Sequence, residues 1–438
     1  DETNASAATP VFYSIGTNAD PLEDGPVQIS IDNGTATLDV AQTTNHVGVG
    51  DVIDFGASNT QVFISVVLSP TRFQVTSSTG AVPADATDED VNFIKRAFNS
   101  IADAVAHSDD ATPFNGVQYL GTADLVTSDL SLTWVCYNDG PFDVAATTSI
   151  TGYATDSAHF ITVTVAGATQ VASGQSQRHT GVEGTGTRLE ATAGSIEMLD
   201  LDLAYTVVEW LELDGNDQAP MLGIGIYGGT GHLLRNLILH NFGDAGDPPA
   251  TQDDYGIYLH TGSLELRNTI VYLYSGDGIR TENTATDLKV FNTTFYGGRH
   301  QNSEAINCLS PCLVENVIAM TPRFYGVFNE GPGGTFTINY TMTEDDSADT
   351  YLGGTGNLVN KAAVNQFVSI VPGSIDLHVR PGADAIDAGK DLSSAFLDDI
   401  DDQTRPLGAG WDIGADETLF LPYKEVYYSV GTDTGDLK

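Results

Sequence analysis

The pattern that most restricts the fold of this chain is an asparagine that returns at nearly constant spacing inside short apolar runs. Asn236, Asn268, Asn292, Asn316 and Asn339 recur at steps of 32, 24, 24 and 23 residues, the first four each after an apolar-X pair and all before a strand-forming residue. A repeat of this length cannot bury an apolar face alone. Stacking one coil on the next buries a continuous core, so the spacing predicts a parallel β-solenoid. A second ladder runs in register with the first: Leu222-Gly223-Ile224, Tyr255-Gly256-Ile257, Asp277-Gly278-Ile279, Glu304-Ala305-Ile306 and Tyr325-Gly326-Val327. Both ladders open with a long step, which one insertion explains: residues 244–254, with its Gly and the pair Pro248-Pro249. Successive coils lie about 4.8 Å apart, so the asparagines are expected to stack and bond amide to amide. That makes them structural residues. Coils are expected from near Thr148, through a rung at Val207–Leu211, to residues 364–379.

Charge is the second constraint. The chain of 438 residues has 59 acidic and 17 basic residues, a formal net charge of −42, with 43 Asp, 16 Glu and 6 Lys. Such self-repulsion destabilises a compact state in dilute buffer, but the Debye length falls to about 3 Å at 1 M salt. Short carboxylates and few lysine stems fit a protein of a halophile; an acidic, Ca²⁺-rich extracellular surface is the alternative. With no basic patch to neutralise phosphates, nucleic acid and anionic membranes are excluded as partners. No stretch has the length and apolarity of a membrane span. The sequence opens at Asp1 without Met, as a mature terminus or a fragment would. Three cysteines make no disulfide framework; Cys308 and Cys312 could close a small turn, and Cys136 reads as a buried strand residue.

The organisation expected is all-β: a flexible start (1–10), a small antiparallel β domain (11–86), one capping helix (87–107), a right-handed parallel β-helix with a closing segment (108–422) and a C-terminal strand (423–438). Asn33-Gly34 between alternating runs is a hairpin signal. Thr87-Asp88-Glu89-Asp90 resembles a capping box, and Val91, Ile94, Phe98 and Ile101 follow at helical spacing. A helix there would cover the open end of the first coil.

PGADAIDAG at 381–389 followed by TRPLGAGWDIGADE at 404–417 resembles the closing segment of secreted right-handed parallel β-helix repeat proteins. VGVGDVIDFG (47–56), IKRAFNSIADAV (94–105) and SQRHTGVEGTGTRLEA (176–191) look like modules that precede such β-helices in large microbial surface proteins. The resemblance implies an extracellular, multi-module surface protein and supplies no catalytic residue.

Residues 426–433 repeat residues 11–18. Val426, Tyr427 and Tyr428 match Val11, Phe12 and Tyr13, so the copy is expected either to start a further module or to dock on a neighbouring subunit's N-terminal β domain. Self-association, as a homopolymer or tandem array, is the expected partnership, with surface glycans as further ligands. The catalytic candidates are weak. Asp253, Asp254, Asp277 and Glu304, with His260, Arg280, Arg299 and His300 nearby, could form an acidic face of a polysaccharide lyase or hydrolase. Asp277 and Glu304 hold equivalent places in successive coils. No cofactor is required; Asp398, Asp399, Asp401 and Asp402, or Glu344-Asp345-Asp346, could bind Ca²⁺. Asn4 and Asn33 lie in N-glycosylation sequons. The reading is a non-enzymatic extracellular structural or adhesive subunit of a fibre, surface layer or virion spike, with the enzyme or a glycan-binding tail spike as alternatives.

Overall fold

A computed structural model describes residues 7–243, 254–320, 325–329, 335–350 and 354–419. Asn4, Asp253 and Val426–Tyr428 lie outside these residues.

The chain winds into a right-handed parallel β-helix of three sheets, visited in the same order on every coil. Among the described residues sheet 1 has nine strands, beginning with Thr9–Ile15, Leu130–Cys136 and Ile161–Val165 and ending with Phe336–Asn339. Among the same residues sheet 2 has eight, from Phe142–Val144 to Met342–Thr343, and sheet 3 has seven, from Ser149–Ile150 to Val327–Asn329. Every neighbouring pair in these sheets is parallel, as in His232–Arg235 against Gly262–Arg267 and Ile238–Phe242 against Ile270–Tyr274. The inward residues form one core that includes Leu132, Trp134, Leu234, Leu266, Val290, Val314 and Ile338. Strands in a stack buried along one side must keep register, because a one-residue slip would turn the apolar set outward.

The recurrent asparagines mark the corner between sheets 1 and 2. Asn236, Asn268, Asn292 and Asn316 sit at φ of 51°, 43°, 41° and 57°. Asparagine tolerates this left-handed region better than other side-chain-bearing residues, which is why it recurs where the chain must turn sharply. Asn339 belongs to the strand Phe336–Asn339, and there Tyr340 takes the positive φ instead. The amide-to-amide ladder is short: Asn316 Nδ2 donates to Asn292 Oδ1 at 3.1 Å. The other amides bond a different segment. Asn236 donates to the Asp399 carbonyl, Asn268 to Asp398 O (2.9 Å), Asn292 to Asp412 O and Gly414 O (3.1 Å each), and Asn316 to Lys390 O (2.8 Å).

That segment, residues 380–419, runs back along the flank of the solenoid. Residues 364–379 do not continue the coils. They form an antiparallel hairpin, Phe367–Val371 with Ser374–Val379, on the outside of sheet 2. The outward side of sheet 2 is apolar where it is covered: Ile238, Ile270, Ile318, Met320 and Met342 pack on Phe367, Leu377, Val379, Ile400, Ile413 and Ala415. Arg405, 1% exposed, anchors the strap through Glu417 Oε2 (2.8 Å) and the carbonyls of Gly414 and Ala415 (3.1 and 2.6 Å).

At the N-terminal end two predictions change, and the small antiparallel β domain holds, as a closed barrel. First, Thr9–Ile15 is not a strand of the small domain; it is the terminal strand of sheet 1, paired in parallel with Leu130–Cys136. Val11, Phe12 and Tyr13 therefore lie in the solenoid's own first rung. Residues 9 and 10, expected to be flexible, begin that strand. The barrel is made of Gln28–Asp32, Thr35–Leu38, Arg72–Thr76, Thr60–Ser69, Val52–Phe55 and Ala86–Lys95. Second, residues 86–95 are its last strand and not helix. Their acids serve cross-strand bonds: Gln28 Nε2 donates to Asp90 Oδ1 and Ser30 Oγ to Asp88 Oδ1, both at 3.1 Å. The helix spans only Ile101–His107, N-capped by Ser100, whose Oγ accepts from Asp103 N at 3.0 Å. It does cap the end, with Ile101 and Ala104 in the core.

The barrel covers the open end beside it. Tyr13 is fully buried, 5.0 Å from the Phe63 ring and 5.1 Å from the Tyr119 ring, and its hydroxyl donates to Ser78 O at 2.7 Å. Ser14 N donates to Gly50 O at 3.0 Å. A Cβ at Gly50 (φ +90°) would lie 2.4 Å from Ser14 N, so only glycine permits the approach. Buried Arg96 bonds Asp51 on the barrel and Asp139 on the solenoid at 2.9 and 2.8 Å.

Candidate functional site

The outer face of sheet 3 carries a set of polar and aromatic side chains suited to a ligand. Strands there place two consecutive residues inward, as Met198-Leu199 does in Ile196–Leu201 and Gly256-Ile257 in Tyr255–Leu259. Outward residues therefore fall three apart. One column holds Ser149, Asp200, Gly225, Tyr258, Arg280 and Asn307, paired strand to strand. A second holds Glu197 and Leu222, then Tyr255, Asp277 and Glu304 at the matching places; a third holds Tyr227 and His260. The small residues of the second ladder face inward. A Cβ at Gly278 would lie 2.5 Å from a Phe295 ring carbon and 2.6 Å from Ala305 O.

Tyrosines occupy the middle of this face. Tyr255 and Tyr258 stack with centroids 5.4 Å apart, Tyr227 meets Tyr258 edge-on at 6.0 Å, and His260 lies 5.4 Å from Tyr227. Tyr258 donates to Glu282 Oε1 at 3.1 Å. Towards later coils stand the predicted acids. Asn307 Nδ2 donates to both Asp277 Oδ2 (3.2 Å) and Glu304 Oε2 (3.4 Å), Glu304 N donates to Asp277 Oδ1 (3.1 Å), and Arg280 pairs with Asp277 at 3.3 Å. The fold thus brings Asp277, Glu304, Arg280 and His260 to one face. It engages the two acids in bonds that hold the turn, and both are buried.

Towards earlier coils stands a carboxyl pair that the sequence reading did not single out. Glu197 Oε1 accepts from Tyr227 OH and Asp200 Oδ2 from Ser149 Oγ, both at 2.7 Å. Glu197 Oε2 and Asp200 Oδ1 are buried with no hydrogen-bond partner among the described residues. Burial raises the Glu197 pKa above the usual carboxylate range, reinforced by Asp200; burial, then Asp202, does the same for Asp200. Glu197 also lines a pocket of about 320 Å³ with Thr147, Ser195, Ile196, Pro220, Met221 and Leu222. The place of Gly225 makes the pair possible, since a Cβ there would sit 2.4 Å from Glu197 Oε2.

Other predicted residues lie elsewhere. Asp254 is buried and accepts Met221 N at 2.6 Å. Arg299 bonds Gly243 O and Asn241 at the corner between sheets 2 and 3, and His300 accepts Asn302 N within a turn. Cys308 and Cys312 are joined as a disulfide and Cys136 is buried. Asn33 is exposed at the tip of the barrel hairpin.

The acidic run of the strap does not converge on one point. Asp399 accepts the amides of Asp401, Gln403 and Glu417; Asp401 faces His378; Asp402 pairs with Arg178; and the Asp398 carbonyl takes Asn268 and Arg405. Asp345 closes a turn onto Ser347 and Gly326. His378, Asp401 and Asp416, however, offer ligand atoms all within 4.8 Å of one another, a group that could hold a metal. Among the described residues no helix is long and apolar enough to cross a membrane.

No family model matches the chain, and no curated protein matches it. Among solved structures it is similar to the crystal structure of pectate lyase Pel9A, with a TM-score of 0.33 and 11% identity over 70% of this chain and 92% of that one.

Proposed function

We propose that the chain is a non-enzymatic, extracellular, adhesive β-solenoid that holds neutral glycans along the outer face of sheet 3. The observation that carries this reading is the half-buried pair Tyr227 and Tyr258, backed by buried Tyr255 and set between two groups of carboxylates. A sugar ring lays its apolar C–H face on an aromatic ring, and its hydroxyls donate to carboxylate oxygens. A polyuronate would be repelled by Glu197, Asp200, Asp202 and Glu282, which face one cation, Arg280, among the described residues of these columns. The acidic surface fits work in concentrated salt, where repulsion between exposed charges is screened.

The test is affinity electrophoresis and calorimetry in molar salt against neutral and uronic-acid polysaccharides. The expected result is binding to a neutral glycan that falls at least tenfold in Tyr258→Ala. Binding to polyuronates alone, or neutral binding that ignores Tyr258, would overturn the reading.

A second reading has its own support. The unpartnered oxygens and raised pKa values of Glu197 and Asp200 are what a general acid and base for glycosidic hydrolysis would need. Release of reducing ends that is lost in Glu197→Gln would favour it over the binding role.

End-to-end linkage belongs to the same proposal. Residues 426–433 resemble residues 11–18, which include most of the first rung, and Tyr13 of that rung is buried against the barrel. We read the copy as docking on the N-terminal β domain of a neighbouring copy, in the manner of the first rung. Light scattering of the full chain against a version ending at Pro422 should show larger assemblies for the full chain; identical sizes would sink the linkage.

A further inference from the structure

We propose that His378, Asp401 and Asp416 form a site for one divalent transition-metal ion of the zinc type, which pins the strap to the flank of the solenoid. The three residues come from three segments that meet at this point: the hairpin strand Ser374–Val379, the loop at 398–402 and the last turn of the strap. Their ligand atoms lie within 4.8 Å of one another, and His378 Nε2 stands 3.1 and 3.2 Å from the two Asp401 oxygens. An ion bound tetrahedrally at about 2.0–2.2 Å from each ligand separates those ligands by about 3.3–3.6 Å, so ligand atoms up to 4.8 Å apart would close by about 1 Å on binding.

Two features go beyond a cluster of acids. His378 Nδ1 is 2.5 Å from Asp376 Oδ1. Donation from Nδ1 to that carboxylate fixes the tautomer and ring orientation, which leaves the Nε2 lone pair facing Asp401 and Asp416, the outer arrangement typical of metal-binding histidines. The second feature is the glycine above the ligand atoms. Gly181, at φ +72°, lies over them, and a Cβ there would come within 2.5 Å of His378 Nε2 and 2.7 Å of Asp401 Oδ1. A side chain there would press on the ligand atoms and block an ion's approach from that side, so only glycine leaves them unblocked. Asp416, 3% exposed, takes Val379 N on Oδ2 at 2.7 Å, which holds its carboxylate towards the imidazole.

The donor set selects the class of metal. One imidazole and two carboxylates with water as fourth ligand suit zinc or cobalt, whereas Ca²⁺ takes six to eight oxygens. The competing occupant is a proton, which would make His378 an imidazolium held among carboxylates. An arginine in its place would keep the cation and lose the ligand, so the two occupants can be told apart.

The experiment uses the full chain, freed of metal by a chelator, in about 2 M KCl to suppress diffuse binding to surface acids. Co²⁺ is the probe. The expected result is one equivalent of Co²⁺ with the visible absorption of a four-coordinate site, displaced by Zn²⁺ and retained in a hundredfold excess of Ca²⁺. His378→Arg should lose the spectrum while keeping its circular dichroism. Asp401→Asn, at the more exposed ligand, serves as a second variant should the arginine prevent folding, and it should weaken Co²⁺ binding at least tenfold. Absence of the spectrum in the folded wild-type chain, its persistence in a folded variant, or displacement by Ca²⁺ would overturn the assignment.

Discussion

Replacing Asn316 separates the two tasks of the corner asparagines. Its backbone sits at φ 57°, and its amide makes three bonds: to Lys390 O (2.8 Å), from Lys390 N (2.7 Å) and to Asn292 Oδ1 (3.1 Å). Asn316→Gly keeps the conformation and loses the bonds. At about 1 kcal/mol for each buried partner left behind, the cost is about 3 kcal/mol. Asn316→Ala loses the same bonds and adds left-handed strain of about 1–2 kcal/mol, offset by about 0.4–1 kcal/mol from the stiffer unfolded chain. Alanine should therefore be worse than glycine by about 1 kcal/mol. Asn339 is the internal control. It lies in a strand and makes two bonds, to Glu315 Oε1 and from Thr355 N, both at 3.1 Å. There glycine should be no better than alanine, because a strand interior disfavours glycine. Denaturant midpoints by circular dichroism in molar salt would give the order. If glycine and alanine are equivalent at 316, or if both fall within about 0.5 kcal/mol of wild type, the corner is not held by these asparagines as argued.

Three further outcomes follow from particular contacts. His179 is buried, with Nε2–H donating to Asn236 O at 2.8 Å, and burial lowers its pKa to about 4. The native imidazole stays neutral while the unfolded one takes a proton below about pH 6.5, so stability should fall by about 3 kcal/mol between pH 6.5 and 4. His179→Gln should flatten that part of the melting-temperature profile, and an unchanged slope would refute the assignment. Arg96→Met leaves Asp51 buried without its cation, a loss of about 3–5 kcal/mol that should first raise hydrogen exchange in Thr9–Ile15. The net charge of −42 predicts a melting temperature that rises from about 0.1 to 2 M KCl; a flat response would mean the acids are already compensated.

Coil spacing was legible because a left-handed corner admits few residue types, and Asn236 to Asn316 satisfy it openly. What the corner amides bond was not legible. Their partners, such as Asp399 O for Asn236, lie in a strap 163 residues away. Residues 87–107 read as helix because Ile94, Phe98 and Ile101 are spaced three or four apart, yet they serve two cores: Ile94 faces the barrel, while Phe98 and Ile101 face the solenoid. The candidate face was half legible. Asp277 and Glu304 share a visible column, but Asp200, Tyr258 and Arg280 align only when two consecutive residues turn inward on such strands, which simple alternation does not anticipate. Glu197 escaped because its coil lacks the small residue that marks the later ones.

The placement of the barrel between the first two strands of sheet 1 bears on how the molecule is made. Thr9–Ile15 finds its strand partner only at Leu130–Cys136, more than a hundred residues later. A chain leaving the ribosome therefore carries an unmatched strand beside a barrel whose strands all lie within residues 28–95. The barrel can assemble first and hold that strand through Ser14 and Tyr13, ready as a template for the second coil. Winding would then proceed in the direction of synthesis, each new strand adding to an edge already formed, with the strap arriving last to seal the flank.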